Sequence, residues 1–291
     1  MELVGVFTRR EPKKLAKYDI RIYPFSGILN FKDKIDVLIV AFGSSDNLTE
    51  YVVDLAEHFN VVDSFDIHRD IAAHRAAVDK ASKKAKKLAI VSTGWDPGLM
   101  SVTRLYFSAF MPYAAVNSIW GEGVSQGHSE AIRKLDGVKY GVQYTVPLSD
   151  GRAAAYRGEK LAPESLHKRV CYVVCDKSDE CRIENSIRNM KGYFSDYETE
   201  VNFISEKDFL EHHTRLLHNG ETVASGKSAG GKIERASLFL NLDSNPDFTA
   251  GILLASARAA FELQKRGEYG ALTIFDIPPK YFYYGETKGL I

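Results

Sequence analysis

The chain has 291 residues, 45% of them apolar and 26% charged, with basic and acidic side chains balanced at 38 each. That length is too great for one small core and suits two intertwined domains. Zero formal net charge removes the electrostatic case for nucleic acid or an acidic membrane as partner. No apolar run reaches the roughly 20 residues that span a bilayer, and the N-terminus reads as lacking a signal peptide.

In chain order, Leu3–Phe7 reads as a strand ending in the polar turn Thr8-Arg9-Arg10. Asp36–Phe42 is a continuous apolar run stopped by Gly43-Ser44-Ser45, as expected of a parallel strand covered on both faces. Leu48–Phe59 has helical spacing, a strand begins at Asn60–Asp63, Ile71–Ala85 is a helix, and Lys87–Thr93 is the next strand. The cluster Lys80–Lys87 reads as a solvated helix face. This β-α-β-α-β rhythm predicts a doubly wound α/β sheet. Further on, Val138–Val146, Lys168–Cys175, Glu198–Ile204 and Lys232–Leu242 read as alternating strands of a mainly antiparallel α+β sheet, of the kind that often carries a dimer interface. Asn245-Pro246-Asp247 leads into an alanine-rich helix, Phe248–Arg266. The expected limits are residues 1–94 for a dinucleotide domain, 95–244 for a substrate and dimerisation domain, and 245–291 for a segment returning to the first.

Several segments could carry chemistry. Asp66 and Asp70 follow a strand, where open α/β sheets place ligands, and could share one face of a helical turn to receive an ammonium group. On spacing alone, a helix cap with a salt bridge to Arg69 or His68 is the more ordinary explanation. Thr93-Gly94-Trp95-Asp96-Pro97-Gly98 reads as a tight turn that projects Trp95 and Asp96, or as a turn and nothing more. Trp120–Ser129 is glycine-rich without a phosphate-loop pattern, and its glycines would let backbone amides approach a small ligand. Arg169 starts a strand and is suited to clamping a carboxylate, with a surface ion pair as the alternative. His218 reads as a lone turn histidine. Arginines at Thr8-Arg9-Arg10, where a dinucleotide fold recognises the ribose, favour NADP over NAD. Cys171, Cys175 and Cys181 have no metal-ligand spacing and fit a reducing cytoplasm. No metal is expected.

The segments Phe7–Arg10, Asp66–Asp70, Ser92–Gly98, Ser125-Gln126-Gly127-His128-Ser129, His167-Lys168-Arg169 and Asn245–Thr249 resemble the meso-diaminopimelate dehydrogenase family through nearly the whole chain. The resemblance implies NADP-dependent oxidative deamination at the D-centre of meso-diaminopimelate by a cytoplasmic homodimer. It implies a substrate site of Asp66, Asp70, Trp95, Asp96, Trp120, Gln126, Gly127, Thr145, Arg169, His218 and Asn245. Thr8, Arg9, Arg10, Gly43 and Ser44 would meet the cofactor. Arg169, Thr145 and His218 would hold the carboxylate remote from the chemistry, and Asn245 the distal L-centre. Asp66, Asp70 and Asp96 would be the catalytic carboxylates near the D-centre, while Trp95 and Trp120 wall the cavity.

One departure stands out. Leu3–Phe7 reads as the second strand of a Rossmann-type domain. The first strand, its glycine turn and the helix after it, roughly 25–30 residues, are missing from the pattern. Leu3–Phe7 and Asp36–Phe42 should then face a gap. Either Met1 is an internal methionine of a longer, active enzyme, or the chain is a dimeric substrate-binding remnant without hydride transfer. A related NADP-dependent D-amino acid dehydrogenase is the third reading.

Overall fold

The computed structural model describes residues 1–11, 19–44 and 47–290. It divides into one unit of Met1–Pro97 with Gly251–Ile291, and a second of Gly98–Ala250. In the first unit the elements are β1 (Val6–Thr8), β2 (Ile22–Pro24), β3 (Val37–Val40), α1 (Leu48–Ala56), β4 (Asn60–Asp63), α2 (Ile71–Ala85) and β5 (Leu88–Ile90). The second holds α3 (Leu99–Phe110), β6 (Ala114–Val124), α4 (Gln126–Arg133), β7 (Tyr140–Pro147), α5 (Ser149–Arg157), β8 (His167–Val174), α6 (Glu180–Arg188), β9 (Thr199–Phe203), α7 (Glu206–His212), β10 (His218–Lys227) and β11 (Ile233–Leu242). Helix α8 (Asn245–Lys265) runs across the boundary, and β12 (Gly270–Leu272) rejoins the first unit.

The first unit is built on a parallel sheet in the order β12-β5-β4-β3. Strands β4 and β5 are buried on both faces; β5 is an unbroken apolar run, whereas β4 places Val61 and Val62 between buried Asn60 and Asp63, whose side chains accept the N–H groups of Leu88 and Ser92. One face packs on α1 and α2 through Val52, Leu55, Val61, Val78 and Ala89, and the other on α8 through Leu253, Ala257 and Ala260. Each fully buried valine or leucine here contributes about 1.5–3 kcal/mol relative to exposure. The lysines of α2 face outward while His74, Val78, Ala81 and Ser82 face in, so the basic cluster is a solvated helix face. Strands β1 and β2 pair in parallel as a two-stranded sheet that, among the described residues, is separate from the sheet of β3.

The second unit is a six-stranded sheet in the order β11-β10-β6-β7-β8-β9, antiparallel except for the β8–β9 pair. Two expectations need correction, and one segment that the sequence assigned to no element is placed. Of the glycine-rich stretch, Trp120 to Val124 end the eleven-residue strand β6, and α4 begins at Gln126. His218 is not in a turn but opens β10, a strand hidden by its small and polar residues. Finally, β7 and β8 have no exposed residue and do not alternate between buried and exposed, because they lie inside the sheet with α4 and α6 packed over them.

Candidate active site

A single row of paired residues crosses the second unit. The strand registers place His218 opposite Gly123, Gly123 opposite Thr145, Thr145 opposite Arg169, and Arg169 opposite Thr199. Directly paired residues project from the same face of a sheet, so His218, Thr145 and Arg169 share one side. Gly123 is small for a steric reason: a Cβ there would collide with the Cα of His218 and lie 2.7 Å from its Cγ. Gly121, at φ +102°, faces the carbonyl of Thr145, where a Cβ would likewise clash. These glycines bring strands together.

Arg169 is only 5% exposed, so the surface ion pair offered by the sequence is ruled out. Its Nη1 donates to Thr145 Oγ1 at 2.6 Å, and its guanidinium carbon lies 4.0 Å from the Tyr197 ring centre. Its buried Nε has no partner, and no carboxylate pairs with it among the described residues. Burial pulls its pKa below the usual arginine value. An uncompensated buried guanidinium is costly unless something anionic arrives to meet it.

The histidines around it are held neutral. Burial, with Arg169 and His218 nearby, pushes His167 down to about 4, against the raising effect of its bond to Pro163. Burial is also the main cause lowering His128 to about 3, followed by Arg169. His218 is lowered chiefly by burial as well. His167 Nδ1 donates to the Pro163 carbonyl at 2.8 Å while Nε2 accepts the Trp120 N–H at 2.7 Å, which fixes its tautomer. Its ring stacks on Trp120 at 5.1 Å. His218 Nδ1 donates to the Asn219 carbonyl at 2.6 Å. The positive charge of this row therefore resides on Arg169.

The remaining candidates of this unit fall around the row. Gln126 and Gly127 form the first turn of α4, and the buried Nε2 of Gln126 has no partner. Asn245 opens α8, its N–H donating to Leu216 and its Oδ1 accepting from Thr249 Oγ1 at 3.2 Å. Two residues escaped the sequence reading. Gln143 is fully buried, donates to Thr145 Oγ1 at 3.3 Å and leaves its Oε1 unpartnered; Tyr197 lies beneath Arg169. The two-residue spacing of Gln143 and Thr145 on one strand was the only available signal for the first.

In the first unit the candidates stand at the C-terminal ends of parallel strands. Asp66 and Asp70 do not share a helical face. Asp66 is exposed in the loop after β4, its N–H donating to Ser44 Oγ at 3.1 Å, whereas Asp70 closes a short 3₁₀ turn just before α2. Arg69 Nε pairs with Asp70 at 3.2 Å, so the salt bridge anticipated as the alternative is present. Trp95, 9% exposed, and Asp96 follow β5. At the end of β1, Thr8 Oγ1 accepts the N–H of Arg10 at 3.0 Å, and Arg9 lies 4.4 Å over the Phe42 ring and 5.0 Å over Tyr51. Two guanidiniums at the C-terminal end of a parallel strand suit a 2′-phosphate, so the donor set fits NADP. Gly43 and Ser44 follow β3 at that same end.

The family described as diaminopimelic acid dehydrogenase C-terminal domain matches residues 94–244. A meso-diaminopimelate D-dehydrogenase of Ureibacillus thermosphaericus is 43% identical over 282 residues, covering 96% of this chain and 86% of that protein. Its counterpart in Corynebacterium glutamicum is 41% identical over 283 residues, covering 96% and 87%. Among solved structures, the C. glutamicum diaminopimelate dehydrogenase in complex with diaminopimelate aligns with a TM-score of 0.94 at 39% identity, over 100% of this chain and 90% of that one. An engineered D-amino acid dehydrogenase bound to NADP⁺ aligns at 0.93 with 38% identity, over 100% and 90%. With this agreement in sequence along nearly the whole chain and in fold over all of it, the chain belongs to the meso-diaminopimelate D-dehydrogenase family.

Proposed function

We propose that this protein catalyses the reversible, NADP-dependent oxidative deamination of the D-centre of meso-2,6-diaminopimelate, giving L-2-amino-6-oxopimelate and ammonia, as a cytoplasmic homodimer. The observation that carries this reading is Arg169: a buried guanidinium with an unpartnered Nε, in a row whose histidines are held neutral. A substrate carboxylate supplies the missing counter-charge. Thr145 Oγ1 already accepts from Arg169 and Gln143, so its own proton is free to be donated to a carboxylate oxygen. Asn245 is assigned to the distal L-centre, and Gln143 Oε1 can accept from an ammonium group.

Asp66, Asp70 and Asp96 are assigned to the reacting end. One of these carboxylates takes the proton from the amine as it becomes an imine, or orients the water that then attacks that carbon. Bound NADP⁺ supplies the hydride acceptor, and Thr8, Arg9 and Arg10 are the residues assigned to its 2′-phosphate. Trp95 and Trp120 exclude bulk water. Support for a dimer comes from apolar side chains left exposed in the second unit, with Phe110 at 75%, Tyr113 at 70%, Ile233 at 67% and Phe239 at 55%. The cytoplasmic assignment rests on three free thiols, Cys171, Cys175 and Cys181.

Reduction of NADP⁺ by meso-diaminopimelate, followed by absorbance with the purified protein, tests the activity. Turnover of the meso isomer and none of the L,L isomer is expected. A folded dimer that binds the diacid but reduces no NADP⁺ would overturn the reading in favour of a substrate-binding remnant. Light scattering in solution tests the dimer.

A further inference from the structure

All three candidate carboxylates adjoin elements that meet at one buried residue outside the site: Asp66 and Asp96 follow β4 and β5, and Asp70 precedes α2. Asp63 ends β4 and is fully buried. Its Oδ1 accepts the N–H of Phe65 at 3.0 Å and of Ser92 at 2.9 Å, and its carbonyl accepts the N–H of Thr93 at 3.0 Å. Its Oδ2 accepts from Nε2 of His74 at 2.9 Å, and the opposite ring nitrogen of His74 meets Thr49 Oγ1 at 2.9 Å. The His74 ring stacks on Phe65 at 4.3 Å, with an interplanar angle of 8°.

Each of these bonds holds something a loop could not hold alone. Phe65 is fastened through its N–H and its ring, and Asp66 is the next residue. Ser92 sits at φ +53°, a conformation that side-chain-bearing residues rarely adopt unless their surroundings enforce it. It opens the segment that carries Trp95 and Asp96. His74 lies on α2, directly after Asp70. We propose that the Asp63–His74 pair is a positioning device that fixes the loops of Asp66, Asp70 and Asp96 relative to one another, and so sets the rate of the chemical step without touching substrate. The inference rests on the reaction proposed above.

H74F keeps a ring against Phe65 but removes the donor to Asp63. D63N can keep every bond by reversing the tautomer of His74, with Nδ2 donating to Nε2 and Nδ1 donating to Thr49. Per folded molecule, kcat of H74F should fall about tenfold or more, with KM for meso-diaminopimelate changed by less than about threefold, because Arg169 and Thr145 are untouched. D63N should lose less than about threefold in kcat, a rescue that mere bulk or stability would not produce.

A second readout does not depend on turnover. The chain has two tryptophans, so in a W120F background Trp95 alone reports on the β5 loop. Adding H74F should shift its emission to the red and raise its quenching by acrylamide, while adding D63N should do neither. If H74F does not fold, T49V, which removes only the hydroxyl that orients the ring, replaces it in both measurements. Unchanged kcat, or unchanged Trp95 quenching, in a folded H74F or T49V protein overturns the inference. Absence of turnover by the unsubstituted protein overturns the proposed function instead, and the quenching result still decides this one.

Discussion

The two units hold their candidate residues in opposite ways. In the second, His218, Thr145 and Arg169 belong to paired strands, and backbone pairing fixes their separations as soon as the sheet forms. In the first, Asp66, Asp70 and Asp96 lie beyond the strand ends, in loops or a short 3₁₀ turn, and Trp95 is held by no more than an isolated β-bridge. A strand-borne site is ordered by the fold itself. A loop-borne site needs a separate device, and the Asp63 bonds to Phe65, Ser92 and His74 have the form of one. The contrast suits a division of labour in which a rigid row recognises a fixed carboxylate while loop carboxylates manage a proton.

The sharpest way to break this comparison is Arg169. If the row is the recognition element, R169M should lower kcat/KM for meso-diaminopimelate by about a hundred- to a thousandfold, most of it in KM, as expected when one member of a buried charge pair is removed. R169K should recover little, because an ammonium cannot reproduce the planar fork held between Thr145 and Tyr197. A change confined to kcat would refute recognition by the row.

Next come the loop carboxylates. D66N, D70N and D96N should differ, with one losing about a hundredfold in kcat and the others less. Equal small losses from all three would mean that no single residue handles the proton. A smaller effect is expected at the end of β1: R9A/R10A should raise KM for NADP⁺ by about tenfold or more and leave KM for NAD⁺ nearly unchanged. Parallel changes for both cofactors would show that these arginines do not read the 2′-phosphate.

The smallest effect concerns stability. His167 has a folded pKa of about 4 against 6.5 ordinarily, so above the unfolded value it contributes no pH dependence. As pH falls from that unfolded value, the unfolded chain binds a proton that the folded chain refuses. Stability is then lost at about 1.4 kcal/mol per pH unit until the folded value is reached. His218, lowered in the same direction, adds to the loss. Denaturant titrations at about pH 7 and about pH 5 should show it, and H167Q should flatten the slope. An identical slope in the variant would place the source elsewhere.

Much of the first unit was legible because its signals are local. Unbroken apolar runs mark β3 and β5, paired valines mark β4, and the lysine-rich face of α2 repeats with helical period. The second unit hid two strands. In β6, Gly121 and Gly123 look like loop residues, yet they are small because neighbouring strands press on them. In β10, His-Asn-Gly-Glu-Thr carries no apolar alternation, because its buried polar residues are matched by other polar groups, as Glu221 is by Arg152 and Tyr156. Asp66 and Asp70 misled in another way, since a spacing of four means one face only if a helix intervenes, and a loop does.

By itself the sequence determined the α/β class, the family to which the chain belongs and the residue types available for a diamino diacid, because those depend on composition, period and short motifs. Only the tertiary structure decided that His218, Gly123, Thr145 and Arg169 form one row, and that a single buried aspartate gathers the loops beside Asp66 and Asp96. Strand register and the pairing of buried charges join residues far apart in the chain. No local pattern encodes either one, because both are fixed by which backbone groups find partners when the sheet closes.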